Sequence, residues 1–213
     1  MIILFDKNKK FHYKYVYRRD YRYFTDSFLI NVIVALDYLY ENDILLVNYQ
    51  KLDHLLADDS DKNLVNIIDV LVDMTDEPIY IRQFHKNQYQ PATNTIFFND
   101  TQGANFRKNY RKRFTSDNKG QNSPMALFAH EIIHCYHELH DEAYYHKRRK
   151  NNSTKGRKIV QSGADLSYPN KEEELVVLLT NQVLKRLGED VRTNYGRNYY
   201  DVDNVLSTRE KIA

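Results

Sequence analysis

The chain has 213 residues, 42% apolar and 28% charged, the balance of a folded soluble domain with a substantial core. A formal net charge of +2 selects no class of partner, and the one cysteine, Cys135, excludes an intrachain disulfide. The longest apolar run, "FLINVIVALDYLY", is interrupted by Asn31 and Asp37 and falls short of a membrane span, and the apolar part of "MIILFDKNKK" is too short for a secretory signal. The expected location is therefore the cytosol, or outside the cell by a route without a cleaved signal.

"MIILFD" reads as a first strand. Thr25 and Asp26 are candidate caps for a helix over 27–40, whose Leu29, Val32, Ile33, Leu36 and Tyr40 recur at helical spacing. A second helix is expected over 61–74. Beyond Pro78, "IYIRQF" alternates as a strand does, and "NTIFFN" is a further short strand. Residues 100–122 are polar, contain Gly103 and Gly120, and read as a long loop. Ser123-Pro124 starts a helix with an apolar stripe of Met125, Phe128, Ile132, Cys135 and Leu139. Cys135 is then a core residue. Residues 141–170 read as irregular, a strong helix covers about 171–187 and stops at Gly188, and the remainder has no clear pattern.

The helix beginning at Ser123 carries "HEIIH", an H-E-x-x-H match. Residues four apart on a helix project side by side, so His130 and His134 can grip one ion. Imidazole suits Zn2+, and Glu131 is placed to take a proton from a water bound there. A catalytic zinc needs a third protein ligand and an open position. His140 falls on the third-ligand position of the metzincin pattern, but His137 stands where that pattern has the glycine of its turn, and no Met follows Met125. Asp165 in "SGADLSY" is a second candidate at a poor spacing. A glutamate of "PNKEEEL" on the last helix is the favoured one, a carboxylate from a helix packed beside the first.

Three segments resemble the NleD-type effector zinc metallopeptidases of bacterial pathogens and, more distantly, the botulinum and tetanus neurotoxin light chains. They are "LFAHEIIHCYH", "PNKEEELVVLLTNQVLKRLG" and "VRTNYG", which lie within residues 123–200. The resemblance implies an α+β, zincin-like metalloprotease fold with an HExxH helix, a small sheet and a second, glutamate-bearing helix. It implies His130 and His134 as zinc ligands and Glu131 as general base. Glu173, eight residues before Asn181, matches the family's helix glutamate, with Glu174 as its near rival and Glu172 behind. His137 stands where the group often has a histidine and reads as a supporting hydrogen-bonder. Arg192 and Tyr195 match an Arg-x-x-Tyr pair that donates to the oxyanion formed during peptide cleavage. The chain is then one domain over 1–213, with its core at 123–200 and an N-terminal part, 1–95, of unassigned role.

His140 and His146 read as solvated helix-end residues. "KRRKNNSTKGRK" at 147–158 and "RKNYRKR" at 107–113 hold seven and five basic residues, in predicted loops flanking the zinc helix. They are candidates to steer an acidic docking segment of a substrate. No fold motif for nucleic acid accompanies them, and no membrane partner is expected. The leading expectation is a monomeric zinc endopeptidase effector that cuts a host protein in the host cytoplasm. The alternatives are a housekeeping bacterial peptidase, or a basic binding module with a structural zinc.

Overall fold

The computed structural model describes residues 1–17, 23–48, 64–74, 76–109, 112–153 and 168–211. Strand β1 (Ile2–Phe5) pairs antiparallel with β2 (His12–Lys14). Helix α1 (Ser27–Glu41) begins where the Asp26 carboxylate accepts from Leu29 N–H at 3.0 Å, and it buries Phe28, Leu29, Val32, Ile33, Leu36 and Leu39. Strands β3 (Leu46–Asn48) and β4 (Leu64–Asn66) form a separate antiparallel pair.

The helix expected over 61–74 is shorter. Residues 61–63 lie outside the described residues, 64–66 are β4, and α2 spans Ile67–Asp73. The side chain of Asn66, itself extended, accepts from Ile68 N–H at 3.0 Å and sets the start there.

Strands β5 (Ile79–Gln83), β6 (Gln88–Gln90) and β7 (Thr95–Phe98) complete a five-stranded sheet of order β2-β1-β5-β7-β6. The three inner strands run parallel and both edge strands antiparallel to their neighbours. The loop predicted over 100–122 instead holds two strands at its ends. Strands β8 (Gln102–Arg107) and β9 (Lys119–Asn122) pair, and β10 (Asn198–Asp201) joins them in the order β10-β8-β9. Gly120 works here as a space rather than a turn: a Cβ on it would lie 2.5 Å from the Phe106 ring.

Three helices complete the architecture. Helix α3 (Pro124–His140) starts where Ser123 Oγ accepts from Ala126 N–H at 3.2 Å. Helix α4 (Glu142–Lys150) occupies part of the stretch expected to be irregular, capped by Asp141. Residues 147–150, expected in a loop, are its last turn, where four basic side chains suit the helix C-terminus. Helix α5 (Lys171–Leu187) is capped by Asn170 at its start and closes on Gly188 in the left-handed region, φ 69°. The described residues form a mixed α+β fold with five helices, and no helix among them is long and apolar enough to cross a membrane.

The predicted stripe of α3 faces the five-stranded sheet: Phe98 of β7 stacks on Phe128 with centroids 4.4 Å apart, and Phe28 of α1 lies 6.3 Å from Phe98. The opposite face is also buried, because α5 packs across it. Strand β7, with Phe28 of α1 packed on it, thus supports the rear of the motif helix.

Candidate active site

Helix α3 carries His130, Glu131 and His134 to the floor of a cleft, and all three are buried. Helix α5 lies against α3 and brings in Glu173. One oxygen of Glu173, Oε2, sits 3.4 Å from His130 Nε2 and 3.4 Å from His134 Nε2. Donor atoms around a tetrahedral Zn2+ at about 2.0–2.1 Å stand about 3.3–3.4 Å from one another, so this spacing fits such an ion. His134 Nε2 has no hydrogen-bond partner, which leaves its lone pair for a metal. The ligand atoms of His130, His134 and Glu173 all lie within 4.8 Å of one another.

The rings are held from behind. His130 Nδ1 lies 3.0 Å from Thr180 Oγ1, whose hydroxyl is already donated to the Val176 carbonyl at 2.7 Å. The fully buried Glu172 lies 3.4 Å from His134 Nδ1, 2.7 Å from His137 Nδ1, and accepts from Arg148 Nε. His137 therefore supports the site from outside the ligand set, and Glu172 works behind the histidines.

Two of the other third-ligand candidates, Glu174 and His140, have different surroundings. Glu174 accepts from Ser153 Oγ at 2.6 Å. His140 ends α3 with its ring 5.3 Å from that of Tyr136. Asp165 lies outside the described residues. A second group, Glu138, Glu142 and His146, also approaches ligand spacing at the α3–α4 junction, but Glu142 is exposed and none of the three is buried.

Charge follows this geometry. Burial lowers His130 to about 3, so it stays neutral. Burial opposes charge on His134 as well, but Glu173, Glu172 and Glu131 raise it to about 10. Burial works against the Glu173 carboxylate, yet His134 and His130 hold it well below the usual carboxylate range. Two carboxylates facing two imidazoles demand a positive charge, which a proton or a metal ion can supply. Burial raises Glu131, making it a stronger base, and the Tyr89 backbone N–H of β6 fixes its Oε2 at 2.8 Å.

Tyr195 lines the cleft, and burial keeps its phenol protonated. Arg192 is buried behind it: Nη2 donates to the Tyr195 carbonyl at 2.8 Å, and Arg192 is not among the lining residues. Asn181 holds both backbone groups of Arg192, at 2.7 and 2.8 Å. Two other guanidiniums do reach the cleft, those of Arg149 and Arg197; for Arg197 the sequence offered only its place in "YGRNYY". Thr180 had a clearer signal, seven residues past Glu173 and so on the same helical face.

Two histidines and a glutamate at metal-ligand spacing, with a buried carboxylate beside them in an open cleft, define a candidate metal site of the kind hydrolases use. The chain belongs to the Peptidase_M91 family, described as effector protein, whose family model matches residues 49–208. It is a peptidase of an effector family, and its substrate is a protein. No curated protein and no solved structure matches the chain. Strand β1 and helix α1 precede the matched stretch, although β1 is an inner strand of the sheet.

Proposed function

We propose that this chain is a zinc endopeptidase of zincin-like fold, delivered into a host cell, where it cuts a specific host protein. The observation that carries the reading is the position of Glu173 Oε2, 3.4 Å from the Nε2 atoms of both His130 and His134, with Glu131 in the same cleft. His130, His134 and Glu173 would hold Zn2+. When bound, the ion supplies Lewis acidity to the scissile carbonyl and to the attacking water. Glu131 takes the water proton on its carboxylate and passes it to the leaving amine nitrogen. Tyr195, protonated at neutral pH, donates its phenolic hydrogen to the oxyanion. Arg192 acts at one remove by fixing the turn that carries Tyr195. Three protein donors favour this reading over a structural zinc, which usually has four. Host delivery rests on the family's description as effector protein.

The test is Glu131→Gln. It should retain one zinc per chain by metal analysis and generate none of the new protein termini that the wild-type protein generates in host-cell lysate. Unchanged termini would remove Glu131 from the reaction, and zinc lost together with cleavage would make it part of the metal site.

A further inference from the structure

The charged residues lining the cleft divide unevenly. Its acids, Glu131 and Glu173, both belong to the proposed reaction centre, and their two charges balance one Zn2+. With Zn2+ bound, Lys86, Arg149 and Arg197 would be the surplus positive charge of the lining, although Arg197 lies within electrostatic reach of Glu131 and Glu173, and Arg149 of Glu173.

Arg197 differs from the other arginines near the site. Arg148 donates to Glu172, Arg149 Nη1 to the Tyr145 hydroxyl at 2.9 Å, and Arg192 Nη2 to the Tyr195 carbonyl at 2.8 Å. No hydrogen bond or ion pair among the described residues engages the Arg197 guanidinium, although the side chain is largely shielded from solvent. Its guanidinium carbon sits 5.7 Å from the Tyr195 ring centroid and 5.3 Å from that of Tyr199. Stacking on aromatic faces orders a guanidinium while leaving its N–H donors unspent. A shielded cation with free donors is a recognition element for an anion. Away from the chain termini a peptide backbone is neutral, so an anionic partner within a bound protein substrate would be a side chain.

We propose that Arg197 binds an anionic side chain of the substrate, a carboxylate or a phosphate monoester, close to the scissile bond, with Arg149 and Lys86 adding to the positive field. This rests on the peptidase reading of the same cleft. It centres acid recognition on Arg197 at the reaction centre; among the described residues of the two basic segments, Arg149 alone lines the cleft. In those segments Lys108 already pairs with Asp190 at 2.7 Å and Arg148 with Glu172.

The test measures binding to zinc-loaded Glu131→Gln protein, which keeps the cleft without turnover. Fluorescein-labelled pools of short random peptides carry Asp and Glu, phosphoserine, or Asn and Gln at their variable positions. Fluorescence anisotropy should show at least one anionic pool binding about tenfold or more tighter than the neutral pool. Which anionic pool wins identifies the group. Adding Arg197→Gln should abolish the margin, Arg197→Glu should turn it toward a Lys-bearing pool, and the remote Arg209→Gln should leave it intact. Equal binding of all pools overturns the inference, as does an unchanged margin in the Arg197→Gln protein. Because no cleavage is measured, this outcome is independent of whether the wild-type protein proves to be a peptidase.

Discussion

The Thr180 hydroxyl donates to the Val176 carbonyl at 2.7 Å, so toward His130 Nδ1, 3.0 Å away, it can only accept. That fixes the tautomer: the proton of His130 is on Nδ1 and the lone pair on Nε2 faces the cleft. Thr180→Val keeps the shape and removes the acceptor. Zinc affinity, measured by competition with a chromophoric chelator, should fall about 10–100-fold. Thr180→Ser should stay near wild type. Equal losses for Val and Ser would mean that packing, not the hydroxyl, sets the affinity.

Glu172 has a different task. It is fully buried and bonded to His137 and Arg148, so its removal strands a cation. Glu172→Gln should cost about 3 kcal/mol or more in urea unfolding of the metal-free protein. Glu174→Gln, on the same turn but facing Ser153, should cost clearly less. Comparable losses at the two positions would show that the contacts of Glu172 carry no more stability than that of Glu174.

The motif helix was legible because it needs only local information. Ser123-Pro124 starts it, the apolar stripe orients it, and His130 and His134 share a face by spacing alone. That a carboxylate of the last helix would come to ligand spacing beside His130 and His134 was legible too. Which glutamate it is depends on how α5 rolls against α3, and no periodicity encodes that. Tyr89 and Arg197 arrive from strand and loop through tertiary packing, with no spacing relation to the motif. Strands β8 and β9 were missed because "QGANFR" and "KGQN" lack a run of β-branched residues, and their glycines admit the Phe106 and Tyr200 rings instead of making turns.

The start of α3 is tied to the end of α5 through a single carboxylate. Ser123 Oγ donates to Glu189 Oε1 at 2.6 Å and Ser123 N–H to Oε2 at 2.9 Å, while Oγ also caps Ala126. Ser123→Ala loses the cap and one partner of a shielded carboxylate, and should destabilise the protein by about 1–3 kcal/mol in urea titration. A change within error would show that this junction carries no stability.

Acid should destabilise the metal-free protein from near neutral pH downward. Burial lowers His130 to about 3 and also lowers His137, so both are neutral in the fold and take up protons more readily when unfolded. A depressed folded pKa gives stability that is present above the unfolded value and lost as pH falls. The loss therefore begins below about 6.5, the unperturbed histidine value. Glu172 and Glu173, held low by the histidines despite burial, add to it below the ordinary carboxylate range. His134, raised to about 10, is charged in both states below 6.5 and does not offset the fall. Glu131, Glu138 and Glu189, which burial raises, protonate first in the fold and partly offset the fall. Melting temperature in chelator should still drop from pH 7 to pH 4, and a flat profile would contradict a dominant part for His130 and His137.

Arg192 and Tyr195 form one packed unit. Arg192 donates to the Tyr195 carbonyl, its guanidinium carbon lies 5.7 Å from the Tyr195 ring, and Asn181 pins its backbone from α5. Only Tyr195 lines the cleft. Tyr195→Phe should keep zinc and lower kcat about 100-fold, the scale of one oxyanion donor, with little change in KM. Arg192→Gln should also lower kcat and in addition lower the melting temperature, because it loosens the turn. The double variant decides between acting through Tyr195 and acting on substrate. If Arg192 works only by placing the phenol, the double variant should be no slower than the slower of the two single variants. Multiplicative losses would give the Arg192 guanidinium a contact with the reacting group of its own.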